Sequence, residues 1–267
     1  METTTDKDLV TCKLAGGLGN WMFQIAACYH VNEIMGKEVV IDISDIATIH
    51  TELSEYKNNI FRKIKFIDSF QKDYEISAEH LPMEYLEIPS KPGNLKMHGY
   101  FQNENYVNHI RKKILDLFEI DDATLSYLKK KYSFLESDNT CSIHVRRGNY
   151  IERQNVHFVQ PIDYYLDCLN DFKLNDTNFI IFSDDLDWCK QHFDFLPNKI
   201  FIEGNNDFED LYLMSFCKDN IIANSSFSWW GAWLNKNVDK KVYYPKTWFN
   251  PNFMRPQNTG SKKWIKK

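Results

Sequence analysis

Two arginines stand side by side where a short apolar run ends. The run Cys141-Ser-Ile-His-Val145 has strand character and stops at Arg146-Arg147-Gly148-Asn149. In open α/β sheets, ligands bind outside the carboxyl ends of the strands. A guanidinium presents a planar fork of donors matched to phosphate oxygens. The pair therefore suits an anionic ligand, the alternative being an ordinary solvated turn. His144, inside the strand, reads either as a satisfied interior histidine or as a side chain reaching the same ligand. Ser225, Ser226 and Ser228 follow a second apolar run, Ile221-Ile-Ala223, and open a helical segment that carries Trp229, Trp230 and Trp233. Hydroxyls and the free N–H groups of a helix N-terminus point the same way, which suits an anion. N-capping accounts for one such serine but not for three, and the tryptophans read as core.

Two further clusters carry possible chemistry. In Phe182-Ser183-Asp184-Asp185 the acids sit at the end of a strand. They cap the next helix, hold a nucleotide hydroxyl or, with additional ligands, hold a metal. No additional metal ligands accompany them, so no metal site is expected. In Gly16-Gly17-Leu18-Gly19-Asn20 the glycines let backbone approach a ligand closely at a helix start. Asp42 follows at about the twenty-residue spacing at which a dinucleotide fingerprint places its ribose-binding acid. Met22, however, occupies the third glycine position of that fingerprint. A tight turn and a phosphate cradle are equally good readings of this loop.

Residues so placed require alternating elements to hold them. Val10–Leu14 reads as a strand, followed by the glycine loop, a helix over Trp21–Met35 closed by Gly36, and a strand over Glu38–Ile43. That is the opening of a Rossmann-like unit. Pro82, Pro89 and Pro92-Gly93 break the next stretch into short pieces, with a strand at Leu95–Gly99 and helices at Tyr106–Phe118 and Asp121–Tyr132. From Cys141 onward, strands at 141–145, 178–183, 199–202, 220–223 and 241–244 alternate with helices at 161–171, 186–192, 207–217 and 228–234. This spacing predicts an α/β chain with parallel, doubly wound sheets. A polar break at Ser137-Asp-Asn-Thr140 divides it into domains 1–138 and 139–267.

Composition narrows the function classes. A net charge of −5 over 267 residues argues against a nucleic-acid binder, which would show a basic footprint. The six cysteines are scattered, with no Cys-x-x-Cys pair, so neither a zinc site nor a disulfide framework is expected and a cytoplasmic location fits. The polar N-terminus is not a signal peptide, and no run approaches the roughly twenty apolar residues of a transmembrane span. The basic tail Ser261-Lys-Lys-Trp-Ile-Lys-Lys267 reads as a frayed terminus, with contact to an anionic membrane surface as the alternative.

Taken together, Gly-Gly-Leu-Gly-Asn-x-Met-Phe-Gln (16–24), His-Val-Arg-Arg-Gly (144–148), Phe-Ser-Asp-Asp (182–185) and Ala-Asn-Ser-Ser-Phe-Ser-Trp-Trp-Gly-Ala-Trp-Leu (223–234) resemble the α-1,2-fucosyltransferases of glycosyltransferase family 11. The motifs occur in the family's order and span nearly the whole chain. The resemblance implies a GT-B-like fold of two Rossmann-type domains facing across a cleft, with an N-terminal acceptor-side domain and a C-terminal donor-binding one. It also implies inverting, metal-independent transfer of L-fucose from GDP-L-fucose to a glycan, usually at the 2-hydroxyl of a β-galactoside. The partners are thus a nucleotide sugar and a glycan acceptor, with no cofactor. Arg146 is expected to bind the diphosphate with support from Arg147, His144 to lie near the nucleoside, and Ser225, Ser226 and Ser228 near the phosphates. Asp210, sixteen residues before Ser226, is expected to read the guanine edge. Gly17, Gly19 and Asn20 approach the donor from the N-terminal domain, and Asp184 is placed at a nucleotide hydroxyl. For the general base, Glu152 is the candidate, with Asp184 and His157 as alternatives.

The chain departs from the family pattern twice. Position 149 is Asn where Asp is common, and Trp21 replaces Gln, which places a tryptophan toward the acceptor. Rival functions are transfer of another GDP-linked 6-deoxyhexose, a dinucleotide oxidoreductase using the 16–20 loop and Asp42, and a glycan-binding module with a degenerate site. Without the membrane anchor of the family's Golgi members, the chain reads as a bacterial or viral enzyme.

Overall fold

A computed structural model describes residues 7–44, 50–80, 83–253 and 260–267. The chain divides into two units, Met1–Asp121 and Asp122–Lys267. In the first, β1 (Leu9–Cys12) leads into α1 (Leu18–Met35), followed by β2 (Glu38–Val39), β3 (Ile41–Asp42), α2 (His50–Asn58), β4 (Phe66–Ile67), β5 (Tyr74–Ser77), β6 (Leu95–His98) and α3 (Arg111–Leu117). The main sheet has the order β2-β1-β6-β5 and is parallel throughout. Helix α1 starts earlier than its apolar spacing suggests, because the Gly17 carbonyl already accepts from Asn20 N (2.9 Å) and Trp21 N (3.1 Å). It ends at Gly36, whose φ of 71° is cheap only for glycine.

The single strand expected over Glu38–Ile43 is split between two sheets. Val40 N donates to Val10 O (3.0 Å), whereas Ile41 N donates to Lys65 O (2.8 Å). β3 pairs with β4 on one side, and on the β1 side the ladder stops because Asp42 N donates to the Thr11 hydroxyl (3.0 Å) instead of a backbone carbonyl. The helix expected over Tyr106–Phe118 is also shorter, with two 3-10 turns at Glu104–Tyr106 and Asn108–Ile110 ahead of α3.

The second unit runs α4 (Asp122–Lys131), β7 (Thr140–Val145), α5 (Gly148–Glu152), α6 (Ile162–Leu169), β8 (Asn178–Ser183), α7 (Leu186–His192), β9 (Lys199–Phe201), α8 (Asp207–Phe216), β10 (Asp219–Ile221), α9 (Ser226–Leu234), β11 (Val242–Tyr244) and β12 (Ile265–Lys266). Its sheet, β9-β8-β7-β10-β11-β12, is parallel throughout. Counting strands within the unit, the order is third, second, first, fourth, fifth, sixth. The direction of winding thus reverses between β7 and β10, the topological switch point at which doubly wound folds bind ligands. β7 is buried at every position, and Cys141, Ile143 and Val145 share a core with Tyr165, Phe179, Ile181 and Ile221.

The division between units falls before α4, ahead of the polar break at 137–140, because α4 packs on α8. The tail is not frayed: β12 pairs with β11 in the register Tyr243↔Ile265 and Tyr244↔Lys266. Lys267 Nζ lies 3.2 Å from Asp171, and the Trp264 ring sits 5.4 Å from that of Trp229. Two of the tail's residues are thereby committed to the protein's own surface.

Candidate active site

The C-terminal ends of β7 and β10 bring the arginine and serine motifs to the switch point. Arg146 leaves β7 with its guanidinium held on two sides: Nη1 lies 3.0 Å from Asp184 Oδ2, and Nη2 donates to Asn149 Oδ1 at 2.8 Å. It also lies 5.4 Å over the Tyr150 ring. Arg147 is anchored more firmly. Its N–H donates to Asp184 Oδ1 (2.8 Å), its Nε to Asp185 Oδ2 (2.9 Å), and its guanidinium lies 4.4 Å over Trp188. Asp185 also caps α7, accepting from Trp188 N at 3.2 Å. The two acids of the Phe-Ser-Asp-Asp motif are thus spent on orienting the arginine loop and starting a helix. Gly148 permits this, since a Cβ there would lie 2.9 Å from Asp184 Cγ and closer still to its Oδ2.

His144 lies on the same strand, buried beside the Phe227 ring at 5.6 Å. Burial, then the charge of Arg146, pushes its pKa down to about 3, so the ring stays neutral. Its Nδ1 is buried without a hydrogen-bond partner. Beyond β10, Ser225 caps α9: its Oγ accepts from Phe227 N at 3.3 Å. Ser226, half-buried, begins the helix. Ser228 is fully buried, with its hydroxyl 3.4 Å from the carbonyls of Ala223 and Ser225, so it closes the turn from inside. Capping thus uses Ser225, turn closure uses Ser228, and the half-buried Ser226 stands beside the first N–H groups of α9.

Asn224 and Tyr150 stitch these pieces together, and sequence reasoning missed both. The Asn224 amide donates to Phe158 O (2.7 Å) and Trp248 O (2.6 Å), while its backbone carbonyl accepts from Tyr150 OH at 3.1 Å. Asn at the end of a buried strand was the available signal; the partner of a tyrosine hydroxyl carries none. His157 stacks on Tyr150 at 4.0 Å, its pKa held below the ordinary value first by burial and then by Arg153 and Arg146. Glu152 is exposed at the end of α5.

Asp210 lies in the first turn of α8. Because α8 descends from the end of β9 and α9 from the end of β10, both helices begin on the C-terminal side of the sheet, and they pack together. Burial pushes Asp210 up to about 6, against the hydrogen bond from Asn205 (2.8 Å).

Gly17, Gly19 and Asn20 belong to the first unit. Gly17 precedes α1, Gly19 is buried within its first turn, and Asn20 Oδ1 accepts from Gln102 at 2.7 Å. Trp21 does not face an acceptor: it is buried among Tyr56 and Phe61, with its ring centroid 5.8 Å from that of Tyr56. Asp42 is equally committed, accepting from Ser44 (2.7 Å) and pairing with Lys96 (3.1 Å), and so is not available to a ribose. Among the described residues no group of three or more His, Cys, Asp or Glu is placed to hold a metal ion, and no helix is long and apolar enough to cross a membrane.

The family model described as glycosyl transferase family 11 matches residues 1–267. The chain belongs to this family. It is therefore a glycosyltransferase, as the four motifs led us to expect. It is 31% identical to an alpha-1,2-colitosyltransferase of Escherichia coli, over 97% of this chain and 98% of that protein. To the O-antigen biosynthesis glycosyltransferase WbnK of Escherichia coli it is 32% identical, over 90% and 94%. Among solved structures it resembles the α-1,6-fucosyltransferase NodZ co-crystallised with GDP, with a TM-score of 0.58 at 12% identity over 85% of this chain and 92% of that one. That likeness confirms the α/β, GT-B-like fold class of this glycosyltransferase.

Proposed function

We propose that this glycosyltransferase moves L-fucose from GDP-L-fucose to a glycan hydroxyl, with inversion at the anomeric carbon, the 2-hydroxyl of a β-galactoside being the preferred acceptor. The observation that carries this is the arginine loop and the serine-capped helix meeting at the switch point of the second unit. A diphosphate there would meet a guanidinium already oriented by Asp184 and Asn149, together with the first N–H groups of α9. His144, neutral and with Nδ1 unpartnered, offers a hydrogen-bonding group to the nucleoside. Asp210 is assigned to the guanine edge.

In the reaction the acceptor oxygen forms a bond to the anomeric carbon as the bond to the β-phosphate oxygen breaks, and that electron pair stays on GDP. Arg146 and the α9 N-terminus stabilise the charge as it grows. The acceptor proton goes to a base. Asp184 is occupied by both arginines, which leaves Glu152 and the neutral His157 in that role. Comparing Glu152→Gln with His157→Gln in turnover distinguishes them.

A second donor is favoured by one specific observation, the relative named as an alpha-1,2-colitosyltransferase. The test is a mass-spectrometric transfer assay crossing GDP-fucose, GDP-colitose and GDP-mannose with several galactosides, with and without EDTA. We expect a deoxyhexosyl product of inverted configuration from GDP-fucose, unaffected by EDTA. Transfer only from GDP-colitose would change the donor, and rescue of an EDTA-treated enzyme by Mg²⁺ would overturn the metal-independent mechanism. No transfer and no donor hydrolysis from any of the three would refute the proposed donor class.

A further inference from the structure

The Asp210 carboxylate is held by an amide whose own orientation is determined. Asn205 Nδ2 donates to Asp210 Oδ1 at 2.8 Å. The oxygen of the same amide accepts from two donors: Lys131 Nζ at 2.6 Å, at the end of α4, and Tyr132 OH at 2.9 Å. A lysine ammonium has donors and no acceptor. The amide can face it only through Oδ1, which turns Nδ2 toward Asp210. Gly204, with φ 72°, lets the loop bend just before Asn205, and its carbonyl accepts a longer bond from Lys131 at 3.4 Å. Lys131 also lies 5.4 Å over the Tyr127 ring and 5.3 Å over that of Tyr132, contacts that help to hold the ammonium in place.

We propose that Asn205 is a positioning residue for nucleotide-base selection, holding the Asp210 carboxylate in the orientation that reads guanine, with Lys131 and Tyr132 setting its amide. This rests on Asp210 reading the base, as proposed above. One lone pair of Oδ1 is taken by Asn205. Oδ2 and the second lone pair of Oδ1 are left for the ring N–H and exocyclic amine of guanine. Adenine offers no such donor pair, so discrimination depends on the plane in which the carboxylate is held. Without Asn205 the carboxylate can rotate, and part of the ordering cost returns on binding.

The arrangement also has a pH signature. Burial raises Asp210 most, Glu209 and Asp207 on its own helix act in the same direction, and the Asn205 bond and Lys131 oppose them. Helix α9, packed against α8, brings no titratable side chain. Only the ionised carboxylate accepts from both guanine donors, so the preference for GDP over ADP falls as pH drops through about 6. Taking the ratio of the two nucleotides cancels the titration of their phosphates. Removing Asn205 removes a bond to the charged form and moves the fall to higher pH.

The test is a competition titration of GDP, ADP and inorganic pyrophosphate against the full chain on both sides of pH 6, with melting temperatures, for wild type, Asn205→Ala, Asn205→Asp and Asp210→Ala. Asn205→Asp keeps an acceptor for Lys131 and Tyr132 but sets a second carboxylate against Asp210, so it retains the loop while disturbing the site. We expect both Asn205 variants to lose about tenfold in GDP-over-ADP preference, with pyrophosphate affinity unchanged and the pH midpoint raised. If Asp210→Ala loses the preference while both Asn205 variants keep it, the positioning role is overturned and the reading of Asp210 survives. If Asp210→Ala keeps it, both fall together. A lowered melting temperature with an unchanged ratio would make Asn205 a loop staple and overturn the proposal.

Discussion

Replacing Arg146 by Lys keeps a positive charge and most of the side-chain length, yet the geometry predicts a large loss. The guanidinium uses Nη1 on Asp184 (3.0 Å) and Nη2 on Asn149 (2.8 Å), which together define its plane. Its remaining N–H donors are left for a ligand. A lysine Nζ can satisfy Asp184 or turn to a phosphate, but not in a fixed plane. On stability the loss is small. The pair is partly exposed, at 34% for Arg146 and 25% for Asp184, and such pairs contribute about 0–1 kcal/mol. On the reaction the loss is larger, because the fork tightens as the β-phosphate gains charge. Removing one well-placed transition-state donor costs about 2.7–4 kcal/mol, roughly a hundred- to a thousandfold in turnover. Turnover, donor KM and melting temperature measured together on wild type and Arg146→Lys separate the effects. We expect turnover to collapse while the other two change little. Near-normal turnover in a folded variant would refute the role assigned to Arg146, and a collapsed melting temperature would make the arginine structural.

Gly148→Ala places a methyl against Asp184, which must swing away from Arg146 and from the Arg147 N–H. We expect about a tenfold loss of turnover, because Arg146 loses the partner that fixes its plane against the ligand and misplaced groups of this kind cost rate rather than stability, and steady-state assay of the folded variant checks it. Asp210→Asn should raise the melting temperature at neutral pH. The folded state raises this carboxyl to about 6, so its favourable contribution is complete only at acid pH and is lost as pH rises through that value. The gain in the neutral variant, at most about 3 kcal/mol above pH 6, should shrink as the pH is lowered in a series of melts. Trp264→Ala should cost about 2 kcal/mol in denaturant melts, roughly half the value for a fully buried tryptophan, because its half-buried ring packs on Trp229 and Tyr244.

Local pattern carried much of the second unit. β8 and α7 occupy the residues that their apolar spacing indicates, and Gly36 ends α1 as a left-handed cap should. What failed was non-local. Whether residues 38–43 form one strand depends on what meets each N–H on the β1 side, and there the Thr11 side chain takes the Asp42 N–H in place of a backbone carbonyl. The tail looked frayed because its apolar residues are few, yet β11 presents an edge that pairs with them. α4 looked like the end of the first domain until its packing on α8 was known.

At the candidate site the motifs were legible one by one, while their meeting was not. Strand order decides that β7 and β10 are neighbours, and no residue in either motif encodes it alone. The three serines looked alike in sequence. In the fold one caps, one closes the turn from inside and one is half-buried at the helix start. Trp21 and Asp42 drew attention by position, but their neighbours Phe61 and Lys96, distant in sequence, make them interior residues.

In the proposed function a GDP-sugar diphosphate sits at the switch point of the second unit. Hydrogen–deuterium exchange of the full chain with and without GDP tests it most directly. New protection is expected at residues 145–149 and 224–228, where the arginine loop and the α9 N-terminus would close on phosphate, and at 205–210 around Asp210. Protection confined to the glycine loop at 15–20, or none in the second unit at saturating GDP, would contradict it.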